Sequence, residues 1–277
     1  MDTPDTPEIL YLDLLKKTLT RTLFPEIWEA FDLPRGSLKW ALAAPIQKLL
    51  NCVSLQLVWR APLHQERCAE GHGWPVNAET MIGLRRLDNL QQCITDIIRQ
   101  RVPGDLLEAG AWRGGATIFM RAVLKVYGET GRTVWVADSF RGLPKPNEEK
   151  YPKDSGIYLW AFKHLAVSVD DVKQNFAKYG LLDGEVRFLV GWFRDTLPTA
   201  PIERLALLRL DGDLYESTMD TLRALYAKVS NGGYVIVDDY FSVDTCRAAV
   251  DDFRAEHKIT EEIKPIDWAG GFWQRLR

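Results

Sequence analysis

The spacing of apolar side chains in the N-terminal part of the chain predicts helices. Leucines and isoleucines recur every three to four residues from Ile9 to Thr22, opposite a polar face, as in an amphipathic helix. Residues 24–60 are apolar on both sides of a Leu33-Pro34-Arg35-Gly36 turn and predict one or two further helices. We therefore expect residues 1–75 to form a helical N-terminal extension.

The pattern changes in the main domain, which we expect to span residues 76–277. A helical stretch from Met81 to Arg101 ends before Pro103-Gly104. Beyond this point, short apolar runs alternate with helical segments. The runs predict buried strands at Asp105–Ala109, Thr133–Ala137, Val186–Val190, Leu205–Leu210 and Tyr234–Val237. Crossover helices are expected at Ala116–Tyr127, Val169–Tyr179 and Thr218–Val229. This alternation predicts an α/β fold with a mostly parallel sheet, helices on both faces and ligands at the carboxyl ends of the strands.

Composition and charge exclude several classes of protein. The 35 Lys and Arg residues do not exceed the 38 Asp and Glu residues, so the basic excess that nucleic-acid binding requires is missing. Four scattered cysteines without a C-x-x-C pair oppose a zinc ribbon and a disulfide-stapled fold. The most apolar window, Trp40 to Trp59, is interrupted by Pro45 and Lys48, and the N-terminus carries acids and prolines. We expect a cytoplasmic protein without a membrane span that binds a small molecule.

A glycine-rich sequence leads from the first predicted strand of the sheet into a helix, over Leu106 to Thr117. Gly110 and Gly114 would let the backbone approach a ligand, and the helix N-terminus would offer free N–H groups to an anionic group. The spacing G-x-x-x-G-G differs from the G-x-G-x-x-G fingerprint, which opposes a dehydrogenase. A tight turn that binds no ligand is the alternative interpretation.

Two further strand ends carry residues suited to a nucleoside. Asp138 follows the next strand, where a carboxylate can accept hydrogen bonds from both ribose hydroxyls. It could instead cap a turn. Trp192 follows the third strand, and its ring could stack on a base or belong to the core.

Several carboxylates follow the last two strands of the predicted sheet. Asp211 and Asp213 end one strand, and Asp238 and Asp239 end the next. Like charges that lie close together repel each other unless a cation lies between them. Oxygen ligands without neighbouring Cys or patterned His favour Mg²⁺. The alternative is that these aspartates only cap the helices that follow.

His164 lies in a long polar segment, residues 144–167, between the second strand and the next helix. A segment of this length is typical of a lid over an active site. His164 is therefore a candidate general base, and a position in the segment without a catalytic role is the alternative.

The chain resembles the macrocin O-methyltransferase (TylF-type) family in motifs that cover most of its length. The resembling stretches are LYLDLLKKTLT, TMIGLRRLDNLQQC, the glycine-rich loop, VWVADSFRGLP, NFAKYGLLD, GWFRDTLPTAPIERLALLRLDGDLYEST, GGYVIVDDY and IDWAGGFWQR. The resemblance implies a Rossmann-like class I methyltransferase with a mostly parallel seven-stranded sheet, including an antiparallel strand near Gly271 to Leu276. It also implies S-adenosylmethionine and Mg²⁺ as cofactors.

The resemblance also implies roles for individual residues. Glu108 and Gly110 would lie near the methionine part of the cofactor, Asp138 and Ser139 near its ribose, and Trp192 near adenine. The other expected cofactor contacts are Thr80, Met81, Trp112, Gly114 and Phe140. The metal ligands would be Asp211, Asp238 and Asp239. Asp213 would be the general base, with His164 as its rival.

The reaction that these residues imply is methyl transfer to a hydroxyl, on a sugar of a natural product or glycan. A catechol-type aromatic diol is the alternative acceptor. A nucleotide-binding protein that is not a methyltransferase is the alternative from another class, and the missing dinucleotide fingerprint and the strand-end carboxylates oppose it. Residues 24–63 depart from the family pattern by extra apolar content, which predicts that the extension shapes either the acceptor pocket or a subunit contact. We expect a homo-oligomer.

Overall fold

The computed structural model describes residues 6–23, 26–30, 38–62, 65–75 and 77–276. Its helices are α1 Pro7–Leu19, α2 Leu38–Cys52, α3 Gln65–Ala69, α4 Leu84–Arg99, α5 Gly115–Val126, α6 Val169–Lys178, α7 Phe193–Thr196, α8 Tyr215–Leu225 and α9 Asp244–Glu256. Its strands are β1 Glu26–Ala30, β2 Val58–Pro62, β3 Asp105–Ala109, β4 Val134–Asp138, β5 Val186–Val190, β6 Leu205–Leu210, β7 Val229–Val237, β8 Lys264–Pro265 and β9 Gly271–Gln274.

A seven-stranded sheet in the order β5-β4-β3-β6-β7-β9-β8 forms the centre of the main domain. The five strands from β3 to β7 are parallel, and β9 runs antiparallel to β7. All five strands that the sequence predicted are present, and the expected antiparallel strand is β9. The prediction of a Rossmann-like class I methyltransferase sheet is therefore confirmed.

Helices cover both faces of the sheet. Since neighbouring residues of a strand point to opposite faces, each strand contributes to two buried layers. Leu106 and Val136 pack with α1, α4, α5 and α6 in one buried cluster. Leu107 and Trp135, each next to one of them in sequence, pack with α8 and α9 in the other. The carboxyl ends of the strands stay at the rim between these two layers.

Helix α1, which lies in the predicted N-terminal extension, packs into this core. Leu12, Leu15 and Leu19 are buried on one side of the helix and join the cluster that contains α4 and α5. On its other side Leu10 and Leu14 are exposed. Thr6 caps the helix by accepting a hydrogen bond from the backbone N–H of Ile9.

The interpretation of residues 24–60 as helices was only partly correct. Helix α2 is present, but β1 and β2 flank it and pair with each other as a two-stranded antiparallel sheet. Their sequences, EIWEA and VWRAP, contain the β-branched and aromatic residues that favour strands. The pairing joins segments far apart in sequence, so the local periodicity could not reveal it.

Helix α2 and the turn after it expose an apolar stripe made of Leu42, Ile46, Leu49 and, directly after the helix, Val53. Their spacing of three or four residues places them on one side of the helix. Surfaces of this kind occur in subunit contacts, but self-association of this chain stays a prediction. Among the described residues, no helix is long and apolar enough to cross a membrane.

We expect Leu12→Ala to lower the free energy of unfolding by about 2–5 kcal/mol, because the side chain is fully buried and its removal leaves a cavity. Leu10→Ala is the matched control in the same helix, since Leu10 is 54% exposed, and it should change stability by less than about 0.5 kcal/mol. Urea unfolding of both variants measures the difference. Equal, small effects would show that α1 does not belong to the core.

Candidate active site

A cavity of about 470 Å³ lies at the carboxyl ends of the parallel strands, where an α/β sheet of this type binds its ligands. Its walls come from the ends of β3, β4, β5, β6 and β7, from the segment after α3, and from the lid around residues 159–165. The predicted site residues on its walls are Thr80, Met81, Glu108, Gly110, Trp112, Asp138, Ser139, His164, Trp192, Asp211, Asp213, Asp238 and Asp239.

Gly114 and Phe140, which we expected at the cofactor, do not line the cavity. Gly114 adopts a left-handed conformation with φ +84°, and a Cβ there would lie 2.7 Å from Val172 Cγ1. Phe140 is buried and its ring centroid lies 6.3 Å from that of Phe188. Gly114 and Phe140 therefore pack against α6 and β5 and do not form the cavity wall.

The glycines of this loop lie close to the backbone of neighbouring segments of the chain. A Cβ on Gly110 would lie 1.7 Å from the carbonyl oxygen of Asp211 on the neighbouring strand. The N–H of Gly115, at the start of α5, donates to the carbonyl of Glu79 over 3.0 Å. That N–H group is thus already satisfied, so our expectation of free N–H groups for an anionic ligand fails at this position.

Asp138 holds the glycine-rich loop in shape. One carboxylate oxygen accepts hydrogen bonds from the N–H groups of Ala111 and Trp112 over 2.8 and 3.2 Å, and the other accepts from Phe140 N–H over 2.7 Å. Burial raises the pKa of Asp138, while these backbone hydrogen bonds act in the opposite direction. The side chain still borders the cavity, so it can face a ribose while it fixes the loop.

A buried charge network lies beneath the cavity, and the sequence analysis did not predict it. Arg209 in β6 pairs with Glu108, with Asp238 and, over 3.0 Å, with Asp211. Arg86 in α4 pairs with the other oxygen of Asp238. Two arginines thus share one aspartate between strand and helix.

A signal for both arginines was present in the sequence. Arg209 interrupts the apolar run LALLRL of β6, and Arg86 falls on the buried stripe of α4 beside Leu87 and Leu90. A charged residue at a core position is rarely buried without an ionic partner.

Asp238 and Glu108 are engaged in different ways by this network. Both oxygens of Asp238 contact guanidinium groups. Glu108 uses one oxygen for Arg209, but its Oε2 is buried without a hydrogen-bond partner among the described residues. Burial raises the pKa of Glu108 to about 7, against the attraction of Arg209. The free oxygen is therefore suited to a cationic or hydrogen-donating ligand.

Three carboxylates at the rim form a cluster. Oxygen atoms of Asp211, Asp213 and Asp239 lie within 4.8 Å of one another, and Asp239 Oδ2 is buried without a hydrogen-bond partner in the described part of the chain. Burial, followed by repulsion from nearby aspartates, raises the pKa of each group, that of Asp213 to about 6. A divalent cation among them would offset both effects. Asp238, expected as a ligand, lies outside this cluster.

The predicted lid is tied to the rest of the domain at Asp154 and His164, in addition to the ion pair of Lys153 with Asp252 of α9. The carboxylate of Asp154, which is fully buried, accepts hydrogen bonds from Tyr215 N–H and Glu216 N–H at the start of α8, over 2.6 and 3.0 Å. The indole N–H of Trp112 donates to the carbonyl oxygen of His164 over 2.9 Å. His164 itself is exposed on the cavity wall.

Comparisons with known proteins agree with this geometry. A family profile described as Macrocin-O-methyltransferase (TylF) matches residues 8–275. The chain is 56% identical over 209 residues to demethyldecarbamoylnovobiocin O-methyltransferase of Streptomyces niveus, covering 75% of this chain and 80% of the relative. It is 46% identical to the 8-demethyl-8-(2,3-dimethoxy-alpha-L-rhamnosyl)-tetracenomycin-C 4'-O-methyltransferase of Streptomyces olivaceus, covering 96% of this chain and 92% of the relative. Among solved structures, the O-methyltransferase NovP matches with a TM-score of 0.84 and 47% identity, covering 98% of this chain and 100% of NovP.

The sheet, the strand-end cavity and these relatives define an enzyme that transfers a methyl group to a hydroxyl oxygen, an O-methyltransferase. Within that class, the chain belongs to the macrocin O-methyltransferase (TylF) family. The alternative of a nucleotide-binding protein outside the methyltransferases is thereby overturned.

The two neighbouring aspartates at the end of β7 should differ in their effect on stability. We expect Asp238→Asn to lower the free energy of unfolding by about 3 kcal/mol, because two buried guanidinium groups lose their shared carboxylate. Asp239→Asn should leave stability unchanged or raise it, because it removes a charge that is repelled by Asp213 and Asp238. Urea unfolding in the presence of EDTA measures both. Similar losses in the two variants would contradict the network.

Proposed function

We propose that this O-methyltransferase takes its methyl group from S-adenosylmethionine and transfers it to a sugar hydroxyl of a natural product, with Mg²⁺ as a second cofactor. One observation carries the proposal: the same cavity brings together the carboxylate cluster and the unpartnered oxygen of Glu108. The acceptor class rests on the relative from Streptomyces olivaceus, whose name gives a rhamnosyl tetracenomycin and a 4'-oxygen.

The residues of the cavity fit S-adenosylmethionine. When bound, this cofactor supplies a methyl group on a positively charged sulfur atom. Glu108 Oε2 is suited to accept a hydrogen bond from the ammonium group of the methionine part, since a buried carboxylate oxygen favours a cation. Asp138 and Ser139 border the cavity where the ribose would lie, and Trp192 offers an aromatic face beyond them.

The carboxylate cluster fits Mg²⁺, with Asp211 and Asp239 as ligands in every assignment. A bound Mg²⁺ would lower the pKa of a coordinated hydroxyl and fix its direction. Sequence resemblance gives Asp238 as the third ligand, whereas the cluster contains Asp213 in its place. The cluster is the better guide to the ligand set because two arginines already neutralise Asp238.

The chain must also remove the proton of the acceptor hydroxyl, because a neutral sugar hydroxyl is a poor nucleophile. Asp213 and His164 both border the cavity and are the candidates for this general base. A positioned base contributes roughly 10²- to 10⁴-fold to the rate. If Asp213 is a metal ligand, His164 takes the proton. If Asp213 is the base, it takes the proton itself while it lies beside Asp211 and Asp239.

We expect turnover to require a divalent cation and to fall on the order of a thousandfold in Asp211→Asn and in Asp239→Asn, because loss of one metal ligand costs several kcal/mol of barrier. Calorimetric Mg²⁺ titration and steady-state turnover measure the effect. The matched control is Asp244→Asn, an exposed aspartate outside the cavity. Full activity in EDTA would overturn the metal assignment.

The same titration separates the roles of Asp213 and His164. Asp213→Asn loses Mg²⁺ affinity if Asp213 is a ligand, and keeps that affinity but loses kcat if it is the base.

Acceptors are tested as a panel of deoxysugar glycosides and catechols. Turnover of catechols alone would overturn the sugar acceptor and leave the methyltransferase chemistry intact.

We expect Glu108→Gln to weaken S-adenosylmethionine binding by about 10- to 100-fold, the value of one charge-assisted hydrogen bond. Binding of 5'-methylthioadenosine, which lacks the ammonium group, should change by less than about threefold on the same scale. Isothermal titration calorimetry of both ligands measures this. If both weaken equally, Glu108 acts through Arg209 and the fold and does not contact the cofactor.

A further inference from the structure

Besides Glu108 and Asp239, a further residue of the cavity has a buried carboxylate oxygen without a hydrogen-bond partner among the described residues. Glu216, in the first turn of α8, lines the cavity and is 5% exposed. Its Oε1 accepts a hydrogen bond from Arg194 Nη1 over 3.2 Å, while its Oε2 is buried without a hydrogen-bond partner among the described residues. A buried carboxylate oxygen is costly to leave without a hydrogen bond, so a ligand with a hydrogen-bond donor is expected beside it.

Aromatic surface lies next to this carboxylate. Helix α7 begins directly after Trp192 and packs against α8. A Cβ on Gly212 would lie 3.5 Å from Phe193 Cε2, so the ring of Phe193 closely approaches the backbone that leads into α8. Arg194, in the same short helix, makes the ion pair with Glu216. Flat rings and a hydrogen-bond acceptor thus face one part of the cavity.

The aromatic part of the cavity follows β5, the strand that pairs with β4 and Asp138. Strands β4 and β5 are parallel neighbours, with Asp138 opposite Val190. The N–H of Gly191 donates to the carbonyl oxygen of Asp138 over 2.9 Å, which places Trp192 one residue beyond that contact. A nucleoside whose ribose lies at Asp138 therefore directs its base toward Trp192 and the α7–α8 contact.

The chemistry of the two groups selects a class of base. Aromatic side chains stack on any purine or pyrimidine and do not distinguish among them. An ionised carboxylate only accepts hydrogen bonds, so it favours a base edge with an amino group and disfavours one with a carbonyl oxygen. Adenine presents an exocyclic amino group at the edge where hypoxanthine presents a carbonyl.

We propose that Glu216 recognises the exocyclic amino group of the cofactor's adenine and makes the enzyme selective for adenosyl over inosyl cofactors. This inference rests on the proposed use of S-adenosylmethionine. Arg194 is a positioning residue in it, since it holds one oxygen of Glu216 and leaves the other without a partner in the described part of the chain. Asp220, one helical turn further on, also borders the cavity and adds negative charge to the same wall.

The test is calorimetric titration of the wild-type enzyme with S-adenosylhomocysteine and with S-inosylhomocysteine. We expect the adenosyl compound to bind at least tenfold more tightly. In Glu216→Gln that preference should fall below about threefold, because a carboxamide can either accept from an amine or donate to a carbonyl. Glu256→Gln, an exposed glutamate on α9, is the control and should keep the full preference.

The outcomes separate this inference from the proposed function. Equal binding of both compounds by the wild type overturns the role of Glu216 and leaves the cofactor assignment standing, without reliance on any variant. Binding of neither compound overturns the cofactor assignment itself. If Glu216→Gln keeps the preference and raises only KM for the acceptor, the carboxylate faces the acceptor and the inference is wrong.

Discussion

The buried guanidinium group of Arg209 is the interaction on which the arrangement of this site depends. It lies in β6 and pairs with Glu108 of β3 and with Asp211 and Asp238, the residues that directly follow β6 and β7. Removing a charge from water is costly unless its partners are held in place, so the three strand ends are constrained relative to one another. Arg86 extends the same constraint to α4 through Asp238. The part of the cavity at Glu108 and the part at Asp211 are thus joined by one ionic network.

That network also divides carboxylates of identical chemistry into two groups. Asp238 is compensated by two cations, whereas Asp239, the next residue, faces other aspartates and has no ion pair among the described residues. Of these two neighbours, the one that both arginines contact is held in the ionic network, whereas the other belongs to the carboxylate cluster. Glu108 and Glu216 show a similar division within a single side chain, since each has one oxygen paired with an arginine and the other without a hydrogen-bond partner among the described residues.

The sequence was most informative where structure is local. Strands β3, β5 and β6 begin and end where predicted, because buried parallel strands are continuous apolar runs. The β1–β2 pairing was missed because its two halves are separated by α2. The expected role of Asp238 could not be checked from sequence, since its partner Arg86 lies 152 residues away. The glycines were identified correctly as a special loop but for a different reason, since Gly110 is required by the neighbouring backbone.

The attachments of the predicted lid at Asp154 and His164 limit which part of this segment can move. Asp154 caps α8 and the carbonyl of His164 accepts from Trp112, so residues 155–163 between them form a short flap with both ends fixed. Any opening that keeps these bonds is confined to that flap, which carries the exposed aromatic rings of Tyr158, Trp160 and Phe162. A molecule that reaches the cavity from the side of the flap would then meet these aromatic rings first, while the fixed ends of the segment keep their places.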